Sequence, residues 1–170
     1  MTVDRMQWGA EEWQFADLYM PDEPSPYQKD EGVPCIMLIH GGFWKKKFTL
    51  DLMAPIAEDL AERGIAAWNV EYCGWEPGDE GVWMDTLSDI MRAWGQIALL
   101  PGIDIVRSMI LGHSAGGHLA SLLATPLAPA AWTPRASPGP RSGPGTWPGR
   151  TAAHSGWMRR NERKKRGFFK

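Results

Sequence analysis

The chain has 170 residues, 44% hydrophobic and 22% charged, which is ordinary for a soluble globular domain and long enough to bury one core. Its net charge of −2 hides two unlike parts: Met1 to Thr125 holds 8 Lys+Arg against 19 Asp+Glu, a net of −11, and Pro126 to Lys170 holds 10 against 1, a net of +9. Two cysteines, Cys35 and Cys73, with no His or Cys at ligand spacing, argue against a zinc site or a disulfide framework, and no apolar run of about 18 residues free of Pro and charge is present to span a membrane.

The opening segment MTVDRMQWGAEEW is acidic and polar where a secretory signal needs an apolar run, so a reducing, cytoplasmic location is expected. In residues 13–20 (WQFADLYM), Trp13, Phe15 and Tyr19 fall at even spacing, which predicts a strand, read as an antiparallel edge piece. A Pro- and acid-rich loop follows to Gly32. Residues 33–39 (VPCIMLI) are nearly continuously apolar, as in a strand buried on both faces, and they end at His40-Gly41-Gly42.

Leu52, Met53, Ile56 and Leu60 share one face of a predicted helix that stops at Gly64, with Pro55 tolerable in its first turn. Residues 65–72 (IAAWNVEY) predict a second buried strand. After a loop over 73–84, Thr86 with Asp89 reads as a capping box for a helix whose apolar face is Leu87, Ile90, Met91 and Trp94. Residues 105–111 (IVRSMIL) predict a third strand, which runs into Gly112-His113-Ser114-Ala115-Gly116 and a helix over 117–124. Strands alternating with helices predict a three-layer α/β fold with a mostly parallel sheet and ligands at the carboxyl ends of the strands.

Residues 112–116 satisfy G-x-S-x-G between a strand and a helix, the context of a nucleophile elbow. The turn strains the serine backbone and admits only small neighbours, so Ser114 is the candidate nucleophile. Attack on a carbonyl puts negative charge on its oxygen, which needs fixed N–H donors. Ala115 and Gly42 or Phe43 are the candidate oxyanion donors, the latter two from the HGG-type loop His40-Gly41-Gly42-Phe43-Trp44. His40, Gly41 and Trp44 are placed at the substrate pocket, His40 holding the loop by hydrogen bonds rather than catalysing. Lys45 to Lys47 read as a solvated turn and Cys73 as a small filler.

HGGFW at 40–44, NVEY at 69–72, TLSD at 86–89 and GHSAGGHLA at 112–120 resemble the α/β-hydrolase superfamily, in its esterase and arylformamidase (kynurenine formamidase) branch, in register over residues 8–125. The resemblance implies hydrolysis of carboxylic esters or aryl formamides through a Ser-Asp-His triad, with a small-molecule substrate and no metal or organic cofactor.

The superfamily's triad runs Ser, acid, His along the chain. Here the acid after Ser114 is Glu162, and His118 and His154 both precede it. His118, one helical turn past Ser114, reads as a packed structural histidine. The sheet also lacks the family's later strands, which would leave the strand ending at Leu111 as an exposed apolar edge. Residues 1–125 are therefore read as the N-terminal part of an α/β-hydrolase domain. Residues 126–170, rich in Pro, Gly and Arg and without Ile, Val, Asp or Tyr, are read as a disordered basic tail arising from a truncated or frameshifted C-terminal half. The cluster at 159–166 (RRNERKKR) reads as solvated rather than as a nucleic-acid arm. The expected function is serine-dependent hydrolysis with acid and base missing; the alternative is an inactive α/β-hydrolase fragment that only binds.

Overall fold

The computed structural model describes residues 1–22, 24–79 and 82–125. The readings of the tail, with His154, Glu162 and the basic cluster, lie outside the described residues. The elements run β1 (Thr2–Gln7), β2 (Phe15–Met20), β3 (Val33–Ile39), α1 (Ala54–Glu62), β4 (Ala66–Val70), α2 (Val82–Gln96), β5 (Ile103–Gly112) and α3 (Ala115–Ala124), with short 3₁₀ turns at Leu50–Met53 and Ile97–Leu99. The strands form one sheet in the order β1-β2-β4-β3-β5, in which β4, β3 and β5 are parallel and β1 and β2 antiparallel.

The two apolar runs take its centre. Met37 and Ile39 of β3 join Trp68 and Val70 of β4 in one buried cluster, while Leu38 and Ala67 point into another. Each strand is buried on both faces, so neither alternates with polar residues. Met53, Ala57 and Ala61 cover one face; Ile90 and Ala93 of α2 with Leu119 of α3 cover the other. The three layers are those expected.

Several expectations need correcting. The segment at 13–20 is not an edge: β2 lies between β4 and β1, and Trp13 falls outside it. The polar, mostly exposed β1 carries no apolar pattern and is held by pairing instead. Arg5 stands opposite Asp17, and its Nε and Nη2 donate to the two carboxylate oxygens at 2.7 and 2.8 Å. Across the 3₁₀ turn at Leu50–Met53 and α1, Leu52 and Ile56 face solvent at 50% and 40% exposure, while Leu50, Met53, Ala57 and Ala61 are buried. The 3₁₀ turn before Ala54 advances about 120° per residue instead of about 100°, which shifts the phase of the buried face.

Thr86 and Asp89 do not cap a helix start, because α2 begins at Val82. Thr86 Oγ1 donates to the carbonyls of Cys73 and Val82. Asp89 accepts from Trp13 Nε1 at 2.9 Å, Gln14 Nε2 at 2.8 Å and the Cys73 N–H at 3.1 Å. Burial pushes its carboxyl above the usual range against the pull of these donors. β5 pairs only with β3 among the described residues and is the expected apolar edge, with Val106 89% and Met109 58% exposed. No helix among the described residues is long and apolar enough to cross a membrane.

Candidate active site

Ser114 sits where β5 gives way to α3, at φ 53° and ψ −113°, a backbone region costly for any residue with a Cβ. A Cβ on Gly112 would collide with the Gly116 carbonyl, and one on Gly116 with the Ile39 carbonyl. The G-x-S-x-G glycines are thus required by close approach of the turn to itself and to the end of β3. The His113 N–H donates to Ile39 O at 3.1 Å and the Gly116 N–H to His113 O at 2.9 Å, fixing the turn against that strand. Ser114 is exposed, while Ala115 is buried in the first turn of α3.

The 40–44 loop reaches the same place from β3. A Cβ on Gly41 would lie 2.8 Å from the His113 carbonyl and 3.2 Å from Ser114 Cβ, so only a residue without a side chain lets the loop run this close to the elbow. Gly42, Phe43 and Trp44 have φ values of 112°, 57° and 58°. Two of these are strained, and residues 73–79 hold them: the Trp75 N–H donates to Trp44 O at 2.8 Å and Trp75 Nε1 to Phe43 O at 3.1 Å. Lys46 pairs with Asp79 at 2.9 Å, and Lys45 lies over the Trp75 ring. All three lysines are exposed, as expected of a solvated turn, and Lys45 and Lys46 also link this loop to its neighbour. The N–H groups of Gly42, Phe43 and Ala115 meet no acceptor among the described residues.

His40 is 1% exposed and lies beneath the loop instead of lining its cleft. Its Nε2 is 2.7 Å from Glu71 Oε1 and its Nδ1 2.8 Å from Gly41 O, and its ring stacks on Tyr72 at 4.2 Å. Burial, with the Glu71 charge added, pushes the Tyr72 hydroxyl up. Trp44 does line a cleft of ≈ 250 Å³, with Trp75, Asp79, Val82, Trp83 and Thr86. His118 is exposed and not packed in a core, yet it is not free: its ring stacks on Trp83 at 5.4 Å and meets Trp44 edge-on at 5.7 Å. Cys73 is a buried filler whose thiol burial pushes up to about 11.

The sequence reading missed Glu71, Trp75 and Trp83. Only Glu71 left a signal, an acid at the end of a strand otherwise buried throughout. Among the described residues no group of three or more His, Cys, Asp or Glu converges as metal ligands would.

Comparison with solved structures finds the same fold in esterases. A thermophilic esterase from the planctomycete Thermogutta terrifontis matches with a TM-score of 0.64 at 23% identity, over 79% of this chain and 48% of its own. Esterase B from Lactobacillus rhamnosis matches with a TM-score of 0.59 at 26% identity, over 72% and 40%. A bacterial heroin esterase matches with a TM-score of 0.54 at 26% identity, over 71% and 37%. The chain thus spans half or less of the length of these esterases and has the architecture of the N-terminal half of an α/β-hydrolase. Comparison with curated proteins finds no match. The BD-FAE family model matches residues 16–129, well over half of the sequence, and the chain belongs to the BD-FAE family.

Proposed function

We propose that this chain carries the nucleophile and oxyanion-binding half of a serine hydrolase site acting on carboxylic esters, with aryl formamides as the second candidate substrate. Ser114 Oγ attacks the carbonyl carbon and its proton passes to a base. The N–H groups of Ala115 and of Gly42 or Phe43 hold the resulting oxyanion until the alcohol or amine leaves, and water then releases the acid. The observation that carries this reading is the strained, exposed Ser114 beside a glycine loop in which the Gly42 and Phe43 N–H groups have no acceptor among the described residues. The esterases named above support an ester over a formamide. Trp44 joins the oxyanion loop to the neighbouring cleft, whose wall of Trp75, Asp79, Val82, Trp83 and Thr86 does not include Ser114.

His118 is turned to Trp44 and Trp83, and no carboxylate follows Ser114 among the described residues. On this reading the triad's base and acid lie outside them. An oxyanion hole alone leaves acceleration of about 10³ over water whether or not the serine is present, so a serine-dependent rate also requires that base. The test is hydrolysis of p-nitrophenyl acetate and of N-formylkynurenine by the full chain against Ser114→Ala. Serine-dependent release of p-nitrophenol is the expected result. Equal rates for both proteins would overturn it and leave the alternative, an inactive α/β-hydrolase fragment that only binds.

A further inference from the structure

We propose that Glu71 is a positioning residue for the oxyanion hole, acting through His40 on the peptide between Gly41 and Gly42; its catalytic consequence rests on the ester-hydrolase reading above. A carbonyl oxygen only accepts, so the 2.8 Å contact between His40 Nδ1 and Gly41 O requires a proton on Nδ1. The C=O and N–H of a trans peptide point in opposite directions. Holding Gly41 O toward His40 therefore directs the Gly42 N–H to the other side, where it has no acceptor among the described residues. A flipped peptide would present a carbonyl there instead and repel an oxyanion. Gly42, at φ 112°, is a residue whose backbone offers little resistance to such a flip, so the orientation has to be imposed from outside.

Glu71 imposes it by settling which imidazole nitrogens carry hydrogen. Its Oε1 stands 2.7 Å from His40 Nε2 and accepts the Tyr72 N–H at 3.0 Å, while Oε2 accepts the Leu50 N–H at 2.9 Å. One proton lies between Glu71 and Nε2, whichever atom holds it, and the Nδ1 proton stays committed to Gly41. Without the carboxylate the two side chains share one proton fewer, and an imidazole with a single N–H can place it on either nitrogen. Water cannot correct the choice, because the His40 and Glu71 side chains are only 2% and 9% exposed. The ring cannot turn either: it stacks on Tyr72, whose hydroxyl donates to His40 O at 3.0 Å.

Glu71→Gln removes the ionisable group at nearly constant shape. Its amide nitrogen must face the Leu50 N–H, or else the Tyr72 N–H, so one donor always meets another. The experiment is long-range ¹H–¹⁵N spectroscopy of the full chain labelled at histidine, with kinetics on p-nitrophenyl acetate. The expected wild-type spectrum shows His40 Nδ1 protonated and slow to exchange. In Glu71→Gln that proton exchanges at least about tenfold faster, and kcat falls about 10–100-fold with KM nearly unchanged, as for a weakened oxyanion donor. A bare Nδ1 in the wild type overturns the proposal, as does an unchanged kcat in a variant that has lost the Nδ1 proton. A raised KM at constant kcat also overturns it, by assigning Glu71 to the cleft. If Glu71→Gln does not fold, the wild-type spectrum decides. Equal hydrolysis by wild type and Ser114→Ala would instead defeat the ester-hydrolase reading, with the His40 spectrum still deciding whether Glu71 sets the ring.

Discussion

Ser114 holds a conformation that glycine would adopt with little strain, at φ 53° and ψ −113°. Ser114→Ala keeps the Cβ and the strain, whereas Ser114→Gly releases it at some cost in unfolded-chain entropy. Ser114→Gly is therefore expected to be more stable than Ser114→Ala by about 1 kcal/mol in urea denaturation, with hydrolysis lost in both. No gain would mean that the turn relaxes around the side chain. Gly116 is the reverse case, since a Cβ there runs into the Ile39 carbonyl. Gly116→Ala should lower stability by about 1–3 kcal/mol, read as a fall in the denaturation midpoint. Asp89 has its carboxyl pushed up by burial, so its ionised form is the one the fold penalises. That penalty is absent below the usual carboxylate range and grows as pH rises through the raised value. Asp89→Asn keeps one oxygen and so loses the acceptor either of Gln14 or of Trp13 and Cys73, and it should be less stable than wild type. The difference should be largest in acid and shrink towards neutral pH; a difference that widens with pH would show an Asp89 stabilised by its charge.

An element can be read from sequence where its signal is local, and α1 and α2 show how far that goes. β3 and β4 are legible because burial on both faces writes an unbroken apolar run. In α1 the existence of the helix and the place of Pro55 are legible but its phase is not, because alanines pack the sheet and the larger Ile56, with Leu52 of the preceding turn, faces solvent. Leu52→Ala and Ile56→Ala should each change stability by less than about 1 kcal/mol, and Ala57→Leu, with no room at 0% exposure, should cost about 1–3 kcal/mol. The opposite ranking in thermal melts would restore the larger residues as the packing face. Thr86 and Asp89 mislead for a different reason, since their partners lie in other segments and residue type alone cannot distinguish a cap from a buried anchor. At the sheet edge, Val106 and Met109 of β5 present exposed apolar side chains on a strand that pairs only with β3 among the described residues. Charged edge residues oppose strand-to-strand pairing, so Val106→Lys with Met109→Lys should lower light scattering at high concentration without changing the melt. Unchanged scattering would place any self-association elsewhere.

At the scale of the molecule, the site joins two loops at the carboxyl end of the sheet, and their legibility differs from that of their supports. Ser114 and the 40–44 loop are visible because each is a contiguous motif following an apolar run. Glu71, Trp75 and Trp83 are not, because their roles exist only once β3, β4 and the start of α2 stand side by side. The same arrangement ties the elbow more closely to the sheet centre than its place at the end of an edge strand suggests. His113 donates to Ile39 O, Gly116 packs on Ile39 O, and Gly41 rests on His113 and Ser114. Ile105, Val106 and Met109, nearer the open edge, are exposed. Hydrogen exchange follows cooperative opening units, and buried central strands set the slowest of them. The hydrogen-bonded amides of His113, Gly116 and His118 should therefore exchange with those of β3, and the amides of Ile105 and Val106 should exchange earlier. If 113–118 opened together with 105–106 instead, the elbow would belong to the edge strand, and the strain at Ser114 would have to be held within the turn itself.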